Sequence, residues 1–331
     1  MRALAVVTAF GIAALVPLEA KETAGTFAGT FLLVPTGVRS MGMGDTGVAL
    51  AYGSNGSIYN PATVARSNYS DVAFSQQNLL TDSTLAFLGY AQPLDFRGFS
   101  ELGGVSIFTT LRHVDHGKIE ANYLKPDGSL DRTETLTAGR DIAWSFGYAE
   151  YFLKGGFGDG AFSEGIHSLG MTLTAINSEL AGQYEANAVG VSLGYLGNFE
   201  KLSLGLSLAN FGTGLKYIQD SDPLPLVARA GAAYPFQITE YIRLLFAYDL
   251  VHEERSFHQR GGAELNIGKL FALRGGWRLE RESFRGGPTF GFGLDTGRFF
   301  ADYAFGWYGD LEETHRMLVG FRFSHHPFHY H

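Results

Sequence analysis

Charged side chains are scarce in this chain, and in its second half they alternate with large apolar residues. Arg243 and Asp249 interleave with Leu244, Phe246 and Tyr248; Arg274 and Arg278 with Leu273 and Trp277; Asp302 with Tyr303 and Phe305; Arg322 with Phe321 and Phe323. Guanidinium and carboxylate groups gathered on one face suit two kinds of chemistry. They can pair into a network that satisfies ionised groups in a poorly hydrated space, or they can attract anions along a pathway. Arg229, Arg243, Arg274, Arg278 and Arg322, with Asp249, Glu264, Asp295 and Asp302 as partners, form the candidate set for either role.

Other patterns suggest chemistry that their context does not support. Gly42-Met43-Gly44-Asp45-Thr46-Gly47 fits the dinucleotide-binding spacing, but no buried strand precedes it and no βαβ unit surrounds it, so a glycine-rich segment packed close to a wall is the better reading. Gly190-Val191-Ser192-Leu193-Gly194 fits the nucleophile elbow, which needs a sharp strand-to-helix turn, yet it lies inside an alternating strand. The terminal histidines, His325, His326, His329 and His331, can bind Zn²⁺ or Ni²⁺ opportunistically, without the carboxylate support of a built site. Cysteine is absent, which removes disulfides and thiolate ligands. These residues assemble no catalytic set, no cofactor site and no metal site, and the expectation is a protein that is not an enzyme.

The elements that hold the charged set are strands. Leu202, Leu204, Leu206 and Leu208 share one face, and Ser203, Gly205, Ser207 and Ala209 share the other. A soluble sheet would carry charge opposite its apolar face; here the second face is small and uncharged. Forty-four glycines, 14% aromatic and only 18% charged residues make a poor soluble surface and suit a wall that faces lipid. An Arg or Lys facing the bilayer midplane costs about 2–4 kcal/mol, so the five arginines must point inward. The net charge of −8 gives no general attraction to nucleic acid.

Strand-like runs are predicted at 71–79, 84–94, 102–113, 140–152, 168–178, 186–196, 201–211, 225–235, 241–251, 257–267, 270–280, 288–296, 298–307 and 316–324, fourteen in all. An even number suits a single-chain bacterial barrel. The fold class is therefore all-β, a transmembrane antiparallel barrel of about fourteen strands occupying 70–324. Long connections fall at 114–139, 153–167 and 212–224 and are expected on the outer side. Within the first, Lys118 to Leu124 and Leu130 to Thr137 flank Pro126-Asp127-Gly128, which reads as a hairpin above the membrane or, alternatively, as a loop.

Residues 1–20 read as a secretory signal peptide, with Arg2 before an apolar run shorter than a spanning helix; a membrane anchor is the alternative. Residues 21–69 lack clean alternation and read as an N-terminal plug, with a helix around Val38 to Tyr52 and another starting at Pro61. Residues 325–331 form a histidine-rich tail. The expected location is the bacterial outer membrane, with its lipid as the first partner.

Four stretches resemble the PorV/PorQ family of outer-membrane barrels, which is related to FadL-type transporters of hydrophobic compounds. They are Gly37 to Gly44 through Ala49-Leu50-Ala51 to Tyr59-Asn60-Pro61-Ala62; Asn210 to Tyr217 with Asp222 to Pro225; Gly261 to Glu264 with Leu273 to Gly276; and Leu294 to Arg316. The resemblance implies a fourteen-stranded barrel with an N-terminal segment inside it, whose plug motif includes Gly42, Gly44, Asn60 and Pro61. It implies a role in type IX protein secretion, with secretion components or exported cargo as partners. The alternative is FadL-like passage of hydrophobic small molecules, which predicts an apolar cavity beside the plug and a lateral opening.

Overall fold

The structure, a computed structural model, describes residues 28–325 apart from 51–52, 80–82, 97, 101, 157–161, 163, 254–255, 280–285 and 308–312. The expected signal peptide and, beyond His325, the histidine tail lie outside the described residues.

The described strands are β1 (Tyr69–Asn78), β2 (Thr84–Pro93), β3 (Ser106–Asp115), β4 (Lys118–Leu124), β5 (Leu130–Thr137), β6 (Gly139–Lys154), β7 (Gly165–Leu180), β8 (Tyr184–Phe199), β9 (Leu202–Gly212), β10 (Leu215–Lys216), β11 (Ser221–Asp222), β12 (Val227–Gln237), β13 (Ile242–Glu253), β14 (Ser256–Ile267), β15 (Phe271–Leu279), β16 (Gly287–Asp295), β17 (Phe299–Trp307) and β18 (Glu313–His325). Fourteen of them close into one antiparallel barrel in which β1 pairs with both β2 and β18. The other four form two small hairpins, β4-β5 and β10-β11, inserted between β3 and β6 and between β9 and β12. Closure leaves no open sheet edge in the wall, as a lipid environment demands of backbone polar groups.

The period-two pattern sorts the side chains as charge and volume require. Large residues such as Trp144, Phe146, Leu173, Phe246, Phe292 and Val319 are exposed on the outer surface. Their strand neighbours Ser145, Thr174, Ala247 and the arginines of β14, β15 and β18 turn inward, where Arg260, Arg274, Arg278 and Arg316 are buried. The ladder shifts register at Tyr69/Ser70, at Tyr151/Leu153 and between Val191 and Leu193, where Ser192 faces Ala209 and Asn210, the latter with φ 64°.

Counting strand directions gives the barrel two distinct ends. One carries the start of β1, the end of β18 and the tight turns 200–201, 238–241, 268–270 and 296–298; we call it the turn end. The other, the loop end, carries 116–138 with hairpin β4-β5 and 213–226 with hairpin β10-β11. The connection 155–164 leaves β6 at the turn end, so the expectation that 153–167 stands beside 114–139 and 212–224 is corrected. A single strand, β6, separates it from the β3-β6 connection, which puts the two loops at opposite ends of the barrel.

The expected helix from 38 to 52 is reduced to one short helix, α1 (Val38–Gly42). Gly44 and Asp45 adopt φ 71° and 64°, and left-handed backbone ends helical hydrogen bonding there. The expected start at Pro61 is present as a 3-10 turn, Pro61–Arg66, capped by the Asn60 side chain accepting from the Ala62 amide at 3.1 Å. Helix α1 packs on β15 to β18, whereas the Pro61–Arg66 turn packs on β6, β7 and β8. The N-terminal segment thus lies across the interior between opposite walls.

Candidate functional site

Glycines in the wall make room for this crossing. A Cβ on Gly262 would lie 2.2 Å from the Met43 carbonyl oxygen, and one on Gly276 2.1 Å from the Gly44 nitrogen. On the far side, a Cβ on Gly194 would lie 2.0 Å from Asn60 Oδ1 and one on Gly170 2.4 Å from the Pro61 carbonyl carbon. At Gly262, Gly276 and Gly170 backbone meets backbone, and at Gly194 the wall backbone meets the Asn60 side-chain amide, so a wall side chain at any of the four would clash. Within the motif, Gly42 rests against Gly291, with 3.1 Å from its would-be Cβ to the Gly291 Cα, and the Gly44 amide donates to Thr289 Oγ1 at 2.8 Å. Asn60 is fully buried and donates from Nδ2 to the carbonyls of Val48 at 2.9 Å and Tyr195 at 2.8 Å. The G-x-G-x-x-G stretch begins at the last residue of a five-residue helix. Its Asp45 accepts from Arg260 at 2.6 Å and from the Tyr59 hydroxyl at 2.6 Å. Burial and the adjoining Asp45 carboxylate push the Tyr59 phenol well above its ordinary pKa, which keeps it a donor.

Ion pairs fix the same segment to the wall. Glu264, on β14, accepts from Arg39 at 2.7 and 2.8 Å and from Arg274 Nε at 2.7 Å; Arg274 Nη1 reaches Asp302 at 2.6 Å. Arg322 donates to Asp295 at 2.8 Å. Arg316 donates to the Pro35 carbonyl at 2.7 Å, and Asp71 accepts from the Ser54 amide at 3.1 Å. Of the residues singled out in the sequence, Glu264, Arg274 and Asp302 therefore form one linked group, and Asp295 and Arg322 form another. Among the described residues Asp249 forms no ion pair; it accepts from the amides of Gly47 at 2.7 Å and Val48 at 3.1 Å. Arg278 is buried in β15, Arg243 stands exposed at the rim of the turn end, and Arg229 lies apart on β12. Sequence reasoning missed Arg39, Asp45, Arg112, Glu253 and Arg260. Inward parity on their strands marks Arg112, Glu253 and Arg260, but Arg39 and Asp45 have no strand pattern to mark them.

The interior divides along the barrel axis. Toward the loop end, inward Leu85, Phe87, Val114, Ile176, Ala186 and Ala188 pack with Phe31 and Leu32 of the N-terminal segment and with Leu215 and Leu224 of the 213–226 connection. Toward the turn end lies a cavity of about 600 Å³, lined by Arg39, Arg66, Asp71, Arg243, Glu264, Arg274, Asp295, Asp302 and Arg322 together with Tyr69, Tyr241, Phe271 and Phe300. The expected apolar cavity beside the segment is instead an apolar packed zone on one side and an ionic cavity on the other. Ser192 of the G-x-S-x-G stretch accepts from the Asn210 amide at 3.3 Å within the β8-β9 bulge, with no strand-to-helix turn around it. Among the described residues, no group of three or more His, Asp or Glu side chains is placed to hold a metal ion.

Comparison with solved structures finds the same architecture. The chain is similar to the Ralstonia pickettii toluene transporter TbuX at 14% identity and TM-score 0.53, covering 89% of this chain and all of that one. It is similar to the CymD monoaromatic hydrocarbon channel at 12% identity and TM-score 0.58, covering 91% of this chain and all of that one. A Pseudomonas aeruginosa FadL homologue matches at 8% identity and TM-score 0.52, covering 88% of this chain and 99% of that one. At these identities the likeness is one of fold, a FadL-type barrel. No family model and no curated protein matches the sequence.

Proposed function

We propose that this chain is an outer-membrane barrel that admits hydrophobic small molecules, with residues 28–68 as the hatch that closes its lumen. The observation that carries this reading is the apolar inner face at the loop end, where Leu85, Phe87, Val114 and Ile176 meet Phe31 and Leu32. A water-filled pore lines its mouth with polar groups; an apolar mouth disfavours ions and accepts solutes that shed water readily. The loop end then faces outward and the turn end faces the periplasm. The fold shared with a toluene transporter and a monoaromatic hydrocarbon channel supports the same direction. In this account a solute enters where Phe31 and Leu32 yield, and the paired charges behind them hold the hatch in register. Cells that produce the chain should accumulate an aromatic hydrocarbon faster than cells without it. Equal uptake by the two would refute the proposal.

A second reading, docking of exported protein as in PorV-type secretion, draws support from hairpin β4-β5. It stands free of the barrel sheet at the loop end, most of its residues are exposed, and it carries the exposed Leu124 and Leu130. Such a hairpin offers free strand edges to an extended partner. A deletion strain whose secreted proteins all reach their normal locations counts against it.

A further inference from the structure

A small cavity of about 30 Å³ lies between the N-terminal segment and strands β3, β6, β7, β8, β9 and β12, apart from the turn-end cavity. Its lining combines Arg112, Arg229, Thr110, Ser145, Thr172 and Ser192 and contains no carboxylate. Arg112 is only 6% exposed; its Nη1 donates to the Leu32 carbonyl at 3.2 Å, while its Nε has no partner. Arg229 Nε and Nη1 are likewise buried without partners, as is Thr172 Oγ1. The carboxylates that act on Arg229 through space are Glu253 and Asp45, and both are held by Arg260, at 3.5 and 2.6 Å.

Two buried guanidiniums that share a cavity with no carboxylate among its described lining residues are a costly arrangement, since neither can lose its proton at working pH. Everything unpartnered at this place except hydroxyl lone pairs is a donor, so what the cavity lacks is an acceptor bearing negative charge. One water needs roughly 10–15 Å³ measured this way, so the cavity has room for a monatomic ion and little more. We infer that Arg112 and Arg229 bind a monatomic inorganic anion of chloride size, completed by the hydroxyls of Thr172 and Ser192. The bound ion ties Leu32 and its segment to the wall from β3 to β12. This site is independent of the hydrophobic-solute reading and stands or falls separately from it.

Crystals of the full-length protein soaked in bromide test the site directly: an anomalous peak is expected between Arg112 and Arg229. In solution, unfolding of the wild type is compared in chloride and in gluconate, too large for the cavity, at equal ionic strength. At chloride 100 times its Kd, the ratio of unfolded to folded protein should fall about 100-fold. R229Q should fold and lose that chloride response. No bromide peak, equal wild-type stability in the two salts, or an R229Q protein that keeps the response would each overturn the inference. If R229Q does not fold, the bromide map and the wild-type salt comparison decide alone.

Discussion

Replacing Glu264 by Gln tests whether the N-terminal segment is held by charge. Glu264 is 1% exposed on its side chain and receives four donors: Arg39 Nη2 at 2.7 Å, Arg39 Nε at 2.8 Å, Arg274 Nε at 2.7 Å and Asn266 Nδ2 at 3.0 Å. A glutamine at this position keeps one acceptor oxygen and turns an NH₂ toward guanidinium N–H groups. It leaves Arg274 its pair with Asp302 and removes the carboxylate that Arg39 reaches at 2.7 Å. Hydrogen bonds to charged groups contribute about 1.5–3 kcal/mol each, and breaking a buried pair from one side costs about 3–5 kcal/mol. We therefore expect E264Q to destabilise the folded barrel by about 3–5 kcal/mol, measured by urea unfolding of protein reconstituted in lipid vesicles. Adding Arg39→Met should cost much less on the E264Q background than on the wild type, because the Arg39–Glu264 ion pair is already gone. A coupling of about 2 kcal/mol lies within the range for residues in one network. An E264Q protein within about 1 kcal/mol of wild type, the size of an exposed pair, would refute the reasoning, as would strict additivity of the two changes.

Further outcomes follow from the packing. Asn60→Ala removes the donors to the Val48 and Tyr195 carbonyls and the acceptor of the Ala62 amide, and should cost about 2–4 kcal/mol by the price of unsatisfied buried groups; the same vesicle unfolding assay measures it. Gly276→Ala places a carbon 2.1 Å from the Gly44 nitrogen and should displace the segment at an overpacking cost of about 1–3 kcal/mol. Trypsin cleavage after Arg39 should then quicken, and unchanged protection would show that the contact is not tight. The chain's three tryptophans, Trp144, Trp277 and Trp307, are 51%, 52% and 49% exposed on the outer surface. Brominated lipids should quench all three, whereas shielding of Trp277 would mean that Arg278 and its neighbours face the bilayer.

The wall was legible because one period governs it. Alternation located all fourteen barrel strands to within a few residues and the 118–124/130–137 hairpin at its observed bounds. The same parity placed Arg274 and Arg322 inward, since an arginine in lipid costs more than almost any inward packing arrangement. Pairing was less accessible: Arg39 and Glu264 lie 225 positions apart, and parity says which face a residue takes, not which residue it meets. Asp249 illustrates the limit, as a carboxylate among arginines that takes two backbone amides instead. The N-terminal segment escaped periodic reading because wall contacts, rather than its own repeat, set its conformation. Gly42, Gly44 and Gly47 looked compatible with a longer helix, whereas the close approach of Gly44 to Gly276 and Gly261 selects a left-handed turn there. The end assigned to the 155–164 connection was within reach of strand counting alone, and loop length was the wrong guide to it.

An apolar mouth and an ion-paired hatch that admit hydrophobic solutes should refuse ions. Purified protein should be placed in liposomes and in a planar bilayer, and influx of a labelled aromatic hydrocarbon measured beside ionic current. Hydrocarbon influx should be faster than in protein-free liposomes, with no sustained conductance. Steady ion current from the wild type, or influx no faster than through bare lipid, would contradict it.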